Sequence, residues 1–201
     1  MFHSDSLLIR FLTKVCDVLF LNVVFVVSCA TVVFSGTAAA SIYAVALKMI
    51  RGEDYEPVKG FLRAARENFL PSVPATILLF ADITLIAVLY RLLYAEVLLV
   101  SPAVFILLAI GAWLLTALLS YLFPLLARYE NTFPKHVGNA ARLALANLPV
   151  TFFLTAVNLL PLLLGIFFPS AWGLVTAFWL LFGFAMGAYL NSFYLNRIFS
   201  R

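Results

Sequence analysis

Residues 143–196 read LALANLPVTFFLTAVNLLPLLLGIFFPSAWGLVTAFWLLFGFAMGAYLNSFYLN, a run of 54 positions without Asp, Glu, Lys, Arg or His. One helical crossing of a bilayer needs about 20 apolar residues, so this run must cross at least twice. The whole chain agrees, because 65% of its residues are hydrophobic and only 11% are charged. A soluble domain usually carries about 25% charged residues. We therefore predict an all-α integral membrane protein, with residues 1–201 forming a single transmembrane helical domain.

The number of spans is decided by the positions of Lys and Arg. Five apolar segments are long enough to cross, and a sixth, residues 35–50, is short and begins with the small residues GTAAAS. If 35–50 also crosses, every Lys and Arg except Arg91 falls on one side, which is expected to be the cytoplasm. Residues 35–50 would make a helix of only about 24 Å at 1.5 Å per residue. A thinner bilayer, or burial of the helix ends in protein, would accommodate it at modest cost. The predicted spans are 15–34, 35–50, 71–90, 103–127, 149–168 and 171–190, with both termini cytoplasmic.

An alternative interpretation makes the first apolar segment a cleaved signal peptide, with the small residues Ala38–Ala40 at the cleavage site. That segment is long for a signal peptide and contains Asp17 and Asn22. Cleavage would also invert the charge pattern, so the six-span topology is favoured.

Two predicted cytoplasmic segments, residues 57–70 and 131–148, mix apolar and basic residues at helical spacing. Such amphipathic helices lie at the membrane surface or lead into the next span. Their basic side chains are expected to contact lipid phosphates or to dock a cytoplasmic partner. The candidate residues are Lys59, Arg63, Arg66, Lys135 and Arg142.

The two segments also match each other at an offset of 76 positions in the printed sequence. Lys59 aligns with Lys135, Arg66 aligns with Arg142, and Asp82 aligns with Asn158. We interpret this as a parallel internal repeat of helix, cytoplasmic helix and helix, as found in some transporters. Chance reuse of short amphipathic patterns is the alternative.

Asp82 is the only charged residue near the middle of a predicted span. An ionised Asp there costs about 2.5–3.5 kcal/mol, so its side chain should face the bundle interior or be protonated. With Asn158 it could form an ion, proton or substrate site. The favoured alternative is a structural hydrogen bond between helices, worth about 0.6 kcal/mol in membranes.

Other chemistry is not supported by the sequence. The 13 basic residues form no patch with interleaved aromatic residues, so nucleic-acid binding is not expected. Cys16 and Cys29 are too far apart on one helix to form a disulfide. No Cys/His cluster, catalytic triad or nucleotide-binding glycine motif occurs. We therefore expect no catalytic residue, no metal site and no cofactor, and the protein is predicted not to be an enzyme.

Four segments together resemble the YesL-like family of bacterial membrane proteins. They are GTAAASIYAVALKMIRGED at 36–54, FLRAARENF at 61–69, YLFPLLARYENTFPKHVGNAARLALANLP at 121–149 and SFYLNRIF at 192–199. The resemblance implies a multi-span protein of the bacterial plasma membrane that accompanies carbohydrate ABC importers. Its partners would then be the permease and ATPase subunits of an importer. The family implies no catalytic or ligand-binding residues.

Three functions follow from these observations as alternatives. The first is an accessory membrane subunit of a bacterial carbohydrate ABC importer. The second is a small autonomous transporter or channel with a polar site at Asp82 and Asn158. The third is a membrane scaffold or sensor that binds lipid or protein partners.

Overall fold

The computed structural model describes residues 7–94 and 101–200, and these residues are almost entirely helical, with no β-strand among them. The helices are α1 (Leu7–Cys29), α2 (Ser35–Arg51), α3 (Pro57–Tyr94), α4 (Pro102–Arg128), α5 (Phe133–Ala146), α6 (Leu148–Phe167), α7 (Trp172–Phe178) and α8 (Phe184–Phe199). A π-helical segment, Trp179–Gly183, joins α7 and α8 into one last span. Short 3-10 turns, Val32–Phe34 and Pro169–Ala171, connect α1 to α2 and α6 to α7.

Six helical segments within the described residues are long and apolar enough to cross a membrane. They are Phe11–Cys29, Val32–Arg51, Pro57–Leu93, Pro102–Arg128, Leu148–Phe167 and Pro169–Phe199. The prediction of an all-α, multi-pass membrane protein with six spans is therefore confirmed. Cys16 and Cys29 are both free thiols.

The first span begins and ends earlier than predicted, because α1 stops at Cys29 rather than near residue 34. The Ser28 hydroxyl donates to the Val24 carbonyl, and the Thr31 hydroxyl donates to the Ser28 carbonyl. Hydroxyl side chains that bond nearby backbone groups offer the chain an alternative to the helix. The apolar residues that follow Thr31 therefore belong to the turn and not to the first span.

The short helix α2 lies at the centre of the bundle. Two-thirds of its span is buried (67%), compared with 11% of the first span and 28% of the fourth. Its small residues allow close packing, since a Cβ atom at Gly36 would overlap the Thr76 hydroxyl and lie 3.0 Å from the Thr76 Cα atom. Small residues serve the same purpose wherever membrane helices approach closely. Because protein surrounds α2, its short length brings little mismatch with lipid.

The predicted amphipathic segment 57–70 is the first part of a continuous 38-residue helix, α3, which contains Pro71 and Pro74. The second amphipathic segment forms a separate helix, α5, which ends before Asn147 (φ −126°, ψ 47°). Pro149 contributes to this break, because it has no N–H to bond to the Leu145 carbonyl and is tolerated only in the first turn of a helix, where α6 places it. Twice along the chain, a span is followed by an amphipathic helix and then by another span. The amphipathic helix is continuous with the next span in α3, whereas α5 is separated from α6. The internal repeat itself stays a prediction.

One end of the bundle carries most of the basic residues, and we call it the basic end, defined by Lys48, Arg51, Arg128 and Arg197. There the Arg128 guanidinium donates to Asn196 (3.3 Å) and lies over the Phe199 ring (5.4 Å from its centroid). The start of α1 lies at the same end, because Asp17 contacts the loop that follows α2. Both termini of the described chain therefore lie at the basic end, as an even number of crossings requires.

Candidate functional site

Asp82 lies in the second half of α3, near the middle of the predicted span 71–90, and is buried, with 5% of its surface exposed. Its carboxylate accepts a hydrogen bond from the Thr116 hydroxyl of α4, at 3.0 Å to one oxygen and 3.2 Å to the other. Among residues 7–94 and 101–200, no ion pair joins Asp82 to a basic side chain. At this level of the bundle, a hydrogen bond between a hydroxyl and a carboxylate therefore joins α4 to α3.

Asn158 of α6 lies in the same polar network but makes no hydrogen bond to Asp82. Its amide nitrogen donates to the Ser120 hydroxyl (2.8 Å), and Ser120 donates to the Thr116 carbonyl (2.7 Å). Thr116 and Ser120, one helical turn apart on α4, thus connect the two predicted residues. The structure therefore places Asp82 and Asn158 in one hydrogen-bonded network, and two residues of α4 connect them.

The network continues to the centre of the bundle. The Asn191 amide of α8 donates to the Asn158 carbonyl (2.9 Å) and to the Tyr43 hydroxyl of α2 (3.1 Å). The Asn191 side-chain oxygen is buried without a hydrogen-bond partner. Sequence reasoning missed Thr116, Ser120, Asn191 and Tyr43. Two of these residues could have been found from the sequence, because the hydroxyl side chains of Thr116 and Ser120 are four positions apart in one predicted span.

Two cavities lie in the bundle, and Asp82 is in the wall of neither. A groove of about 310 Å³ between α3, α4 and α6 is mostly apolar and reaches Thr116. A larger cavity of about 570 Å³ opens at the basic end, lined by charged residues of both signs, among them Lys48, Arg63, Asp54 and Glu67. In the described ranges, no three potential metal-ligating side chains lie together.

The predicted basic positions of α3 point away from the bundle. Lys59, Arg63 and Arg66 are exposed, while Phe61 and Ala64 on the opposite face are buried. Lys59 pairs with Glu56 (2.8 Å). Leu62, between the basic residues, is 49% exposed, so this face combines charge with an apolar side chain.

The same arrangement occurs on α5. Lys135 and Arg142 are exposed, and buried His136 and Ala140 hold the helix against the bundle. Leu145, one turn beyond Arg142, is 68% exposed. All five predicted basic residues are therefore exposed, and Arg63 and Arg142 also line cavities.

A further polar contact fixes the loop between α2 and α3. The Tyr55 hydroxyl donates to the Asp17 carboxylate of α1 (2.7 Å). Burial, followed by this hydrogen bond and the Asp17 charge, raises the pKa of Tyr55 to about 12. Nearby, the hydrogen bond from Arg51 lowers the pKa of Glu53. Sequence reasoning did not find the Tyr55–Asp17 contact, because it joins residues that are 38 positions apart.

Comparison with known proteins gives one match, to a family described as "Protein of unknown function, DUF624" over residues 18–90. The matched region runs from α1 through most of α3 and includes the segments 36–54 and 61–69. No curated protein and no solved structure shows significant similarity to the chain.

Proposed function

We propose that this protein is a non-enzymatic accessory subunit of a bacterial carbohydrate ABC importer. The resemblance to the YesL-like family supports this function, and YesL-like proteins belong to the family that matches residues 18–90. In this proposal the protein lies in the plasma membrane with both termini and the basic end in the cytoplasm. That orientation follows the tendency of Lys and Arg to remain on the cytoplasmic side.

The observation that carries the proposal is a pair of outward faces at the basic end. We call them the docking faces: Lys59, Leu62, Arg63 and Arg66 on α3, and Lys135, Arg142 and Leu145 on α5. Each combines cations with an exposed leucine on a helix whose other side is anchored in the bundle. Arginine is enriched at protein interfaces, where it surrounds apolar contacts. A rigid surface of this kind suits the contact with an importer subunit at the cytoplasmic membrane surface.

Site-specific photo-crosslinking in native membranes tests the proposal directly. A photoreactive residue is placed at Leu62 or at Leu145, and the crosslinked proteins are identified by mass spectrometry. Leu174, which is 78% exposed near the opposite end of the bundle, is the matched control position. We expect permease or ATPase subunits of an importer at Leu62 and Leu145 and not at Leu174. If no importer subunit is captured at either docking face, the proposal fails.

A second candidate function, autonomous transport, is favoured by Asp82. Its carboxylate is buried at mid-membrane and receives only hydroxyl donors from Thr116 among the described residues. Buried acids without a cationic partner occur along proton and ion pathways in membranes. A proton-carrying role would place the protonation step at this carboxylate.

Proton flux into reconstituted vesicles distinguishes this candidate. The Asp82→Asn variant can still accept from Thr116, so its abundance should be unchanged while flux is lost. The Asp54→Asn variant removes an exposed carboxylate outside the spans and should leave flux unchanged. Flux that persists in Asp82→Asn would exclude the carboxylate as a carrier.

A further inference from the structure

A separate pocket of about 400 Å³ lies at the basic end, between the end of α4, the face of α5 and the end of α8. We propose that it binds a phosphate group, which is presented by a phospholipid headgroup or by free phosphate. The polar walls of this phosphate pocket are Asn131, His136, Asn139 and Arg142. The inference does not depend on the proposed importer function.

Most of the polar wall comes from a row of residues along α5. His136, Asn139 and Arg142 follow one another at intervals of three residues, so successive side chains are neighbours, and the row turns from the buried side at His136 to the exposed side at Arg142. Asn131 lies in the connection just before α5. The structure therefore directs an imidazole, two amides and a guanidinium toward one space.

An unsatisfied buried group points to a ligand in this space. His136 is only 2% exposed, and within the described residues its Nδ1 atom has no hydrogen-bond partner. Most buried polar groups in folded proteins have a partner, so an exception needs an explanation. The imidazole lines this pocket but its Nδ1 atom is itself buried, so a phosphate oxygen or hydroxyl would supply the missing hydrogen bond only after the ring rotates toward the pocket.

The electrostatics of the pocket select an anion. Among the described residues that line it, Arg142 is the charged side chain and none is a carboxylate. Asn131 and His136 in the pocket wall flank the first turn of α5, whose capping residue Thr132 makes no side-chain capping bond. The N-terminus of a helix carries partial positive charge, which favours phosphate. Arginine suits the same ligand, because its planar guanidinium can donate two parallel hydrogen bonds.

The remaining walls of the pocket, and a second cavity beside it, indicate on which side of His136 the phosphate binds. Leu143 and Phe199 supply apolar surface, and the pocket lies where α4 and the last span leave the membrane. This combination suits a headgroup with its glycerol attached. A neighbouring cavity on the other side of His136 contains Glu67 and Glu130, which would repel an anion. The phosphate therefore belongs on the Arg142 side.

Binding to the full chain, delipidated in detergent and free of phosphate, tests the pocket. Three probes are added separately: dioleoylphosphatidylglycerol, dioleoylglycerol without a phosphate, and inorganic phosphate. Native mass spectrometry measures lipid binding, and calorimetry measures inorganic phosphate. We expect a phosphate-containing probe to bind and dioleoylglycerol not to bind at comparable concentrations.

Two variants and one control variant locate the binding. Arg142→Gln changes an exposed side chain that should not affect folding, and it should weaken binding about tenfold through loss of a charged hydrogen bond. Lys135→Gln removes an equal charge from α5 outside the pocket wall and should leave binding unchanged. His136→Asn, where it folds, should weaken binding in the same way as Arg142→Gln.

The outcomes distinguish a phospholipid headgroup from free phosphate as the ligand. Selective binding of the phospholipid, sensitive to Arg142→Gln, identifies a headgroup site. The same sensitivity with inorganic phosphate alone identifies a site for free phosphate. The inference is overturned if no phosphate-containing probe binds, or if Lys135→Gln weakens binding as much as Arg142→Gln.

Discussion

Asn22 illustrates how a single side chain can hold two membrane helices together. It is fully buried in the middle of α1 and contacts the π-helical segment of the last span. Its amide nitrogen donates to the Trp179 carbonyl (3.1 Å) and the Leu180 carbonyl (2.8 Å), and its oxygen accepts from the Ala185 N–H (2.8 Å). Backbone groups inside a bilayer must find partners within the protein. Asn22 therefore satisfies backbone groups at the irregular turn.

Replacing Asn22 by Leu should destabilise the fold. Three hydrogen bonds are lost at about 0.6 kcal/mol each, which gives about 2 kcal/mol. The matched control is Asn68→Leu, because within the described part of the chain the Asn68 amide bonds only to the Ala64 carbonyl of its own helix. Unfolding in detergent with increasing denaturant measures both variants. Equal stabilities for the two variants would contradict this role for Asn22.

His136 should make stability depend on pH. Burial lowers the pKa of its imidazole below the ordinary value of 6.5 in the folded state. Below that pH the unfolded chain binds a proton that the folded chain does not, so stability is present above pH 6.5 and is lost as the pH falls. The charged groups in the cavities that His136 lines are Glu67, Arg128, Glu130 and Arg142.

The measurement is the melting temperature of the detergent-solubilised protein well above and well below pH 6.5. We expect the melting temperature to fall at the lower pH. The His136→Asn variant should show a smaller fall, since Asn does not titrate. An unchanged pH dependence in the variant would assign the effect to other groups.

At the scale of the elements, the packing of α2 against α3 controls the centre of the bundle. A side chain at Gly36 would collide with the Thr76 backbone, whereas a Cβ atom at Gly138 of α5 meets nothing within 4 Å. The same substitution at these two glycines therefore separates steric overlap from the general effect of replacing glycine in a helix.

Gly36→Leu should separate α2 from α3 and destabilise the protein by about 1–3 kcal/mol or more, the usual cost of overpacking. Gly138→Leu should fold with nearly unchanged stability. Size-exclusion profiles and thermal unfolding in detergent provide the comparison. If Gly36→Leu folds as well as Gly138→Leu, the close contact at Thr76 is not required.

At the scale of the whole molecule, six crossings place the docking faces and the last residues of α8 on one side of the membrane. Single cysteines at Lys59, Lys135 and Ser200, in a chain with Cys16 and Cys29 replaced by Ser, should react with a membrane-impermeant thiol reagent from the same side. A cysteine at Ser170, in the turn between α6 and α7, should react only from the other side.

Oriented membrane vesicles provide the measurement, and we expect Lys59→Cys to react from the cytoplasmic side. The six-span topology fails if Lys59→Cys and Ser200→Cys react from opposite sides. Reaction of both from outside the cell would retain the fold but reverse the proposed orientation.

The sequence by itself determined the membrane environment, the six spans and the outward position of the five basic residues. These properties depend on composition and on the periodicity of single segments, which are local in the chain. Asp82 and Asn158 could be singled out for the same reason, since a polar residue in an apolar span is visible without coordinates.

Only the tertiary structure decided which polar groups meet. Thr116 and Ser120 connect Asp82 to Asn158, and Asn191 extends the network to Tyr43, because α4 and α8 pack between the other helices. The burial of α2 also depends on neighbouring helices. Apolar segments are similar to one another, so their order in the chain does not specify which faces touch. Side-chain packing and the need to satisfy buried polar groups select one arrangement.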